Sequence, residues 1–324
     1  MRNFTFKGLF LTAVFMLLGC LSIQAADDYL ITKQITIKLD EAGTLPDKIG
    51  SDRKYQITNL KLIGEINGTD LRMIREMAGR DHNGDVTKGN LSVLDLSEAK
   101  IVEGGGSYCS DYYTSNDKIG DVAFSGCSGL TNLNLPAGIT EIGPYAFYGC
   151  SGLTSLNLPA SITTISAGAF NKCSGLTSLN LPAGITEIGG GAFDGCSGLT
   201  SLNLPDGITY IGGEAFANCS GLTSLYVYTE KVPGIGSNAF EGCDAKKCTV
   251  YVPKGTYDDY WLSNFGYFEN IVEFDATGID KTTTSTDVEE VSRYSVNGQR
   301  LVGPTKGFNI VKYSDGSVKK VAVE

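Results

Sequence analysis

Leu130-Thr-Asn-Leu133-Asn-Leu135-Pro136-Ala-Gly-Ile139-Thr-Glu-Ile142-Gly-Pro-Tyr-Ala146-Phe147-Tyr-Gly-Cys150 decides the architecture, because it returns. Close copies start at Leu153, Leu176 and Leu199, and a looser one starts at Leu222. Phe124, Phe147, Phe170, Phe193 and Phe216 stand 23 residues apart, and Phe240 follows after 24. Cys127, Cys150, Cys173, Cys196, Cys219 and Cys243 keep step with them. Self-similarity at about 20 to 30 residues marks a solenoid, and an L-x-x-L-x-L opening marks a leucine-rich repeat. Alternation in Leu133-Asn134-Leu135 points the leucines inward and the asparagine outward. Pro136 lacks an N–H and ends the short strand. Ile139 to Ile142 crosses the coil, glycines allow the corners, and Ala146-Phe147 closes the interior. One winding cannot bury its own apolar side, so stacked windings must make the core. The spacing predicts an α/β-type repeat solenoid, mostly β, with rungs about 4.8 Å apart.

These Leu, Pro, Ile, Ala-Phe and Cys positions resemble the BspA-like leucine-rich repeat family of bacterial surface proteins, over roughly residues 91–253. The resemblance implies a right-handed coil and a role in adhesion to host proteins or other cells.

Both ends of the chain depart from the period. Arg2 and Lys7 precede an uncharged apolar run from Gly8 to Ile23, with small residues at Ala25-Ala26. This reads as a secretory signal peptide over residues 1–25. Leu17-Leu-Gly-Cys20 also resembles a lipobox, so cleavage near Ala25 and lipidation of Cys20 both stand. Either predicts an exported protein, at the cell surface, at the outer membrane or extracellular. Residues 26–90 read as an N-terminal cap, with a strand over 34–39 and a helix over 69–78 that buries Leu71, Ile74 and Met77. The solenoid spans 91–253, and a C-terminal cap spans 254–276. That cap opens with Thr256 and Asp259 as a capping box, and Trp261, Phe265 and Phe268 seal the core. Residues 277–290 form a polar linker. Residues 291–324 read as a small β module with hairpin turns at Asn297-Gly298 and Asp315-Gly316. Tyr294, Gly298, Gly307-Phe-Asn-Ile-Val and Lys319-Lys-Val-Ala-Val resemble the C-terminal sorting domain of the type IX secretion system of Bacteroidetes. An ordinary β module is the plainer account.

Composition narrows the chemistry. The formal charge is −10, so no basic footprint exists for nucleic acid. The one histidine, His82, lies in the turn-like run Arg80-Asp-His-Asn-Gly-Asp85 and reads as a surface residue. No catalytic, cofactor or metal constellation emerges. Gly234-Ile-Gly236-Ser-Asn-Ala239 matches a dinucleotide fingerprint by letters, but it lies in a repeat corner without the required strand and long helix. Glu141 and Glu187 share a repeat position two rungs apart, about the carboxylate separation an inverting glycosidase needs. Solvated surface acids explain them more simply. The cysteines in register predict a buried column of thiols, whereas Cys109 and Cys248 lie off register and could pair or react. Membrane contact is expected only through a lipid or sorting anchor.

Two features point to binding. Asn134, Asn157, Asn180 and Asn203 form an outward amide row flanked by Thr131, Thr154, Thr177 and Thr200, with Tyr226 at the next rung. The corner Glu103 to Asp117 is enlarged and carries Tyr108, Tyr112 and Tyr113 among glycine, serine and asparagine, the residues recognition loops use. The expected activity is non-enzymatic binding of a macromolecule: a host protein, a cell surface or a glycan. A passive surface spacer is the alternative, and then the row would serve only solubility and the corner would be a packed loop.

Overall fold

The computed structural model describes residues 29–274, 290–295, 300–304, 306–313 and 318–323. The signal peptide, Cys20, all but the last residue of the linker and the turns at Asn297-Gly298 and Asp315-Gly316 lie outside the described residues.

The period builds a parallel β-solenoid. Each repeat contributes one strand of three or four residues to a broad sheet, such as Asn132–Asn134, Ser155–Asn157, Ser178–Asn180, Ser201–Leu204 and Ser224–Val227. The broad sheet has ten strands, all paired in parallel. Two of them, Ile35–Lys38 and Asn59–Ile66, come from the N-terminal cap, and Asn270–Phe274 comes from the C-terminal cap. The caps therefore continue the sheet instead of merely covering its ends. Opposite lies a narrow six-stranded parallel sheet of two-residue strands, from Lys118–Ile119 to Gly234–Ile235.

Between the sheets identical side chains stack on one another. Phe124, Phe147, Phe170, Phe193 and Phe216 are fully buried, and successive ring centroids lie 5.2–5.3 Å apart with planes within 6°. Phe240, one residue late in the sequence, extends the column at 5.8 Å. The cysteines form a second column, and each carries out a specific task. Cys150 Sγ donates to the carbonyl of Phe124, Cys173 to Phe147, Cys196 to Phe170, Cys219 to Phe193 and Cys243 to Phe216, at 3.1–3.3 Å. The same carbonyls accept a backbone N–H three residues on, as Phe124 does from Cys127. Both lone pairs of a buried oxygen are thereby used. All eight described cysteines are free. Burial pushes the Cys127 thiol up to about 11 and Cys173 to about 12, which keeps the column protonated and chemically quiet at neutral pH.

Each winding also turns through the left-handed region twice. Val122, Tyr145, Gly168, Gly191, Glu214 and Asn238 hold φ of 52–62° at one corner. Gly126, Gly149, Lys172, Gly195, Asn218 and Gly242 hold 55–77° at the next. Six of these twelve positions carry a side chain there, so the stacked core overrides a local preference of about 1–2 kcal/mol per residue.

The N-terminal helix runs Gly68–Met77, with Leu71, Ile74 and Met77 buried as the pattern predicts. Asn67 caps it, and the carboxylate of Asp70 accepts from the N–H of Asn67, Gly43 and Leu45 at 2.6–3.0 Å. Arg75 is buried too, which the apolar stripe does not predict. Its guanidinium donates to the carbonyls of Val122 and Ala123 at 2.8 Å each, stitching the cap to the first repeat corner.

At the other end the sequence reading needs two corrections. Trp261 is 45% exposed, stacked on Tyr257 with centroids 6.2 Å apart. Tyr260 is buried in its stead, because its hydroxyl finds a buried acceptor in the Thr229 carbonyl at 2.7 Å and adjacent helical residues cannot share one face. Phe265 and Phe268 do close the column, at 5.5 and 5.1 Å from Phe240. The capping box is also absent. Thr256 turns its hydroxyl to the Pro253 carbonyl, and Glu273 accepts from the N–H of Gly255 and Tyr257.

The C-terminal strands Glu290–Ser295, Arg300–Leu301, Gly307–Tyr313 and Val318–Val323 form an antiparallel four-stranded sheet.

Two outcomes follow for stability. Phe170→Ala, in mid-column, should cost about 3–5 kcal/mol in denaturant unfolding. The raised thiol pKa values stabilise the fold below the ordinary value near 9 and lose that contribution as pH rises towards 12. Melting temperature should hold level up to about pH 9 and then fall, and less steeply in a Cys127→Ala, Cys173→Ala variant.

Candidate binding face

The outer side of the broad sheet is one continuous row. Register places Thr36 beside Lys61, Lys61 beside Asp95, Asp95 beside Asn134 and Asn134 beside Asn157. Asn180, Asn203, Tyr226 and Tyr251 continue it. Neighbours are about 4.8 Å apart, the spacing of hydrogen-bonded strands. Lys61 and Asp95 form an ion pair at 3.4 Å, so charge ends where the amides begin.

The asparagines and threonines that looked alike in sequence differ in what they have left to offer. Thr131, Thr154, Thr177 and Thr223 donate their hydroxyls to the carbonyl of the preceding rung at 3.0–3.2 Å. They fasten rungs together. Asn134 and Asn157 are exposed, Asn180 is half-buried, and the amides of all three make no hydrogen bond among the described residues. Their donors and acceptors face outward, ready for a ligand.

The far end of the row departs from expectation. Asn203 is 7% exposed and Tyr226 8%, so neither belongs to an open surface. Tyr226 stacks on Tyr251 at 4.4 Å with planes 8° apart, and Phe274 meets Tyr226 and Tyr228 edge-on at 6.4 and 5.5 Å. Ile310 of the C-terminal module is buried in this cluster, and Tyr294 packs against it. Burial raises the phenol pKa of Tyr226, Tyr228 and Tyr251 above the ordinary range. Alternation along a strand reveals which residues leave the core, but not what settles on them afterwards. Tyr251 lay hidden for a further reason, since it follows Tyr226 by 25 residues and not 23.

The enlarged corner folds into a hairpin, Gly104–Cys109 against Tyr112–Thr114, lying on the N-terminal helix. Gly106 N–H donates to Thr69 Oγ1 at 3.0 Å. Tyr108 is 1% exposed and donates to the Asp121 carbonyl at 2.8 Å. It anchors the hairpin and is not a recognition residue, because Gly120 leaves room for its hydroxyl where a Cβ would clash. Tyr112 and Tyr113 are 42% and 60% exposed. With Lys118, Asp121 and Glu141 they border a cavity of about 190 Å³.

The remaining candidates separate. Glu141 is ion-paired to Lys118 at 2.5 Å and is half-exposed. Glu187 stands two strands away beyond Thr164. His82 hydrogen-bonds Ser107 Oγ at 2.9 Å and lies 3.4 Å from Asn83 Oδ1. Cys109 accepts from Arg75 Nη2 at 3.3 Å, near one end of the rod. Cys248 is buried before the strand Thr249–Pro253, six strands along the broad sheet from Val93–Ile101, so these two cysteines cannot pair. Among the described residues no cluster of His, Cys, Asp or Glu could hold a metal.

Residues 117–247 match the family described as BspA type Leucine rich repeat region, in six copies. Among solved structures, a leucine-rich repeat protein of T. pallidum, TpLRR, is 31% identical, with a TM-score of 0.39, covering 42% of this chain and 61% of that one. A leucine-rich repeat protein from Bacteroides ovatus ATCC 8483 is 19% identical, TM-score 0.35, covering 75% of this chain and 66% of that one. The pneumococcal vaccine antigen PcpA is 15% identical, TM-score 0.38, covering 74% and 67%. The chain thus spans less than two thirds of the length of the first two. No curated protein matches.

Tyr108→Phe should lower unfolding stability by about 0.5–1.5 kcal/mol, since it removes the hydrogen bond to the part-buried Asp121 carbonyl. Tyr112→Ala and Tyr113→Ala should each stay within about 0.5 kcal/mol of the parent, measured by urea unfolding.

Proposed function

We propose that this chain is a non-enzymatic, exported surface protein that binds a macromolecule, protein or glycan, along the outer face of its broad sheet. One observation carries the reading. On the parallel sheet, Asn134, Asn157 and Asn180 present amides at one repeated position, and those amides make no hydrogen bond among the described residues. Multiple weak polar contacts at regular spacing add up through simultaneous engagement. Tyr112 and Tyr113 supply exposed aromatic area at the N-terminal end of the rod. The six BspA-type repeats favour surface binding over catalysis.

The apolar leader over residues 1–25 supports export, with Cys20 as a lipid attachment point if processing occurs there. The C-terminal strands support a sorting or anchoring role for the tail. Among the described residues no helix is long and apolar enough to cross a membrane.

Purified protein should bind saturably to immobilised host matrix proteins, to whole cells or to a glycan array. An Asn134→Ala, Asn157→Ala, Asn180→Ala variant should bind at least tenfold more weakly with an unchanged melting temperature. Equal binding by the variant would remove the amide row from the reading, and no binding by the parent would leave a passive spacer.

A further inference from the structure

The row of outward side chains is not covered evenly. Exposure falls from Asn134 and Asn157, through half-buried Asn180, to buried Asn203, Tyr226 and Tyr251. The fall coincides with the C-terminal module, whose Ile310 and Tyr294 pack into the aromatic cluster. The contact is rich in rings. Among the described residues the solenoid side contributes Tyr226, Tyr228, Tyr251 and Phe274, and the module contributes Ile310 and Tyr294.

It is also imperfect. The Tyr228 hydroxyl is buried within this cluster and has no hydrogen-bond partner among the described residues. A buried unsatisfied hydroxyl is a cost the fold normally removes, and its persistence needs a reason. Elsewhere in the chain the buried tyrosines are satisfied: Tyr108 donates to the Asp121 carbonyl and Tyr260 to that of Thr229. Contacts between parts of one chain ordinarily permit relative motion unless they are large and hydrophobic.

We propose that the C-terminal module is a releasable cover, an internal stand-in for a protein ligand of this face. Displacing it exposes an aromatic platform continuous with the amide row. The surface fits a protein segment that carries an aliphatic side chain beside an aromatic one, as Ile310 lies beside Tyr294, together with a polar group for the Tyr228 hydroxyl. The row from Asn134 to Tyr251 carries no charge, so the segment it suits is neutral where it touches. This inference rests on the reading of the outer face as a binding surface, and it adds the partner's chemistry and a means of control.

The test separates the two ideas. Tyrosine nitration with tetranitromethane, mapped by mass spectrometry, reads the cover without any ligand. In the parent, Tyr226, Tyr228 and Tyr251 should resist while Tyr112 and Tyr113 react. In Ile310→Asp, and independently in a chain ended after Phe274, the three should become reactive, and binding of the dye ANS should rise severalfold. The melting transition of the solenoid should persist in both. In the binding assays above, both variants should bind the protein targets at least tenfold more tightly than the parent. Equal nitration of parent and variants would overturn the cover while leaving the amide-row reading intact. Uncovered tyrosines with no gain in protein binding, or a gain only towards glycans, would overturn the proposed ligand. If Ile310→Asp unfolds the module, the cover is removed all the same, and the truncated chain reports on the solenoid alone.

Discussion

A winding of 23 residues has an apolar edge that it cannot hide, and everything else in this chain follows from how that edge is closed. It is closed by translation. Phe147 lies on Phe124, Phe170 on Phe147, each ring within 6° of parallel, so one residue type at one position satisfies itself. Stacking of identical rings about 5 Å apart lies within the range of favourable offset pairs. The cysteine beside each phenylalanine shows that apolarity is not the only requirement. Its thiol supplies a hydrogen bond to a Phe carbonyl that otherwise would use one lone pair only. Serine could reach the same carbonyl, but it would bring a more strongly polar group into a dry column. Alanine would leave the second lone pair unmet and a void beside it. Cysteine is small, greasy and a weak donor, and that combination is what the site asks for.

Translation also explains which irregularities the chain tolerates. A side chain at positive φ is locally unfavourable, yet Val122, Tyr145 and Glu214 occupy the same left-handed corner where Gly168 and Gly191 sit in other rungs. The corner conformation is dictated by the rungs above and below, and the residue complies. Insertions are absorbed in the same manner. Phe240 arrives one residue late and still joins the column, and sixteen extra residues between Leu91 and Leu130 fold out as a hairpin without shifting the register of Leu94 on Leu133. The core fixes the rung, and surplus chain is displaced to the surface.

Such a fold is unusually legible because its tertiary contacts are written as a sequence period. The inward leucines, the phenylalanine and cysteine columns, the helix stripe of Leu71, Ile74 and Met77 and the outward asparagines could all be read from spacing. Legibility stopped where contacts are not periodic. Tyr108 and Tyr112 look equivalent in a tyrosine-rich loop, and only the carbonyl of Asp121 and the space beside Gly120 decide that the first turns in. Trp261 is the larger and more apolar choice for a seal, but Tyr260 alone is aimed at the Thr229 carbonyl. Arg75 interrupts an apolar helix face because the first repeat corner presents the Ala123 carbonyl, whose equivalents in later rungs accept the phenylalanine N–H of the rung before. Each miss is a singular contact at an end or a corner, where translation no longer supplies the partner.

The same logic bears on where recognition can reside. Any polar group that recurs in every rung is first available to the neighbouring rung, and the threonines show this: their hydroxyls are consumed by the carbonyl one winding back. A residue is free for a ligand only if its geometry misses that neighbour. Asn134, Asn157 and Asn180 meet the condition, since their amides make no hydrogen bond among the described residues. Side chains free in this sense are also open to whatever else the chain can lay over them. The C-terminal module does so at Tyr226 and Tyr251 and leaves Asn134 and Asn157 bare. A face built from equivalent positions thus acquires two ends of different character, and the difference comes from what lies on the sheet and not from the repeat.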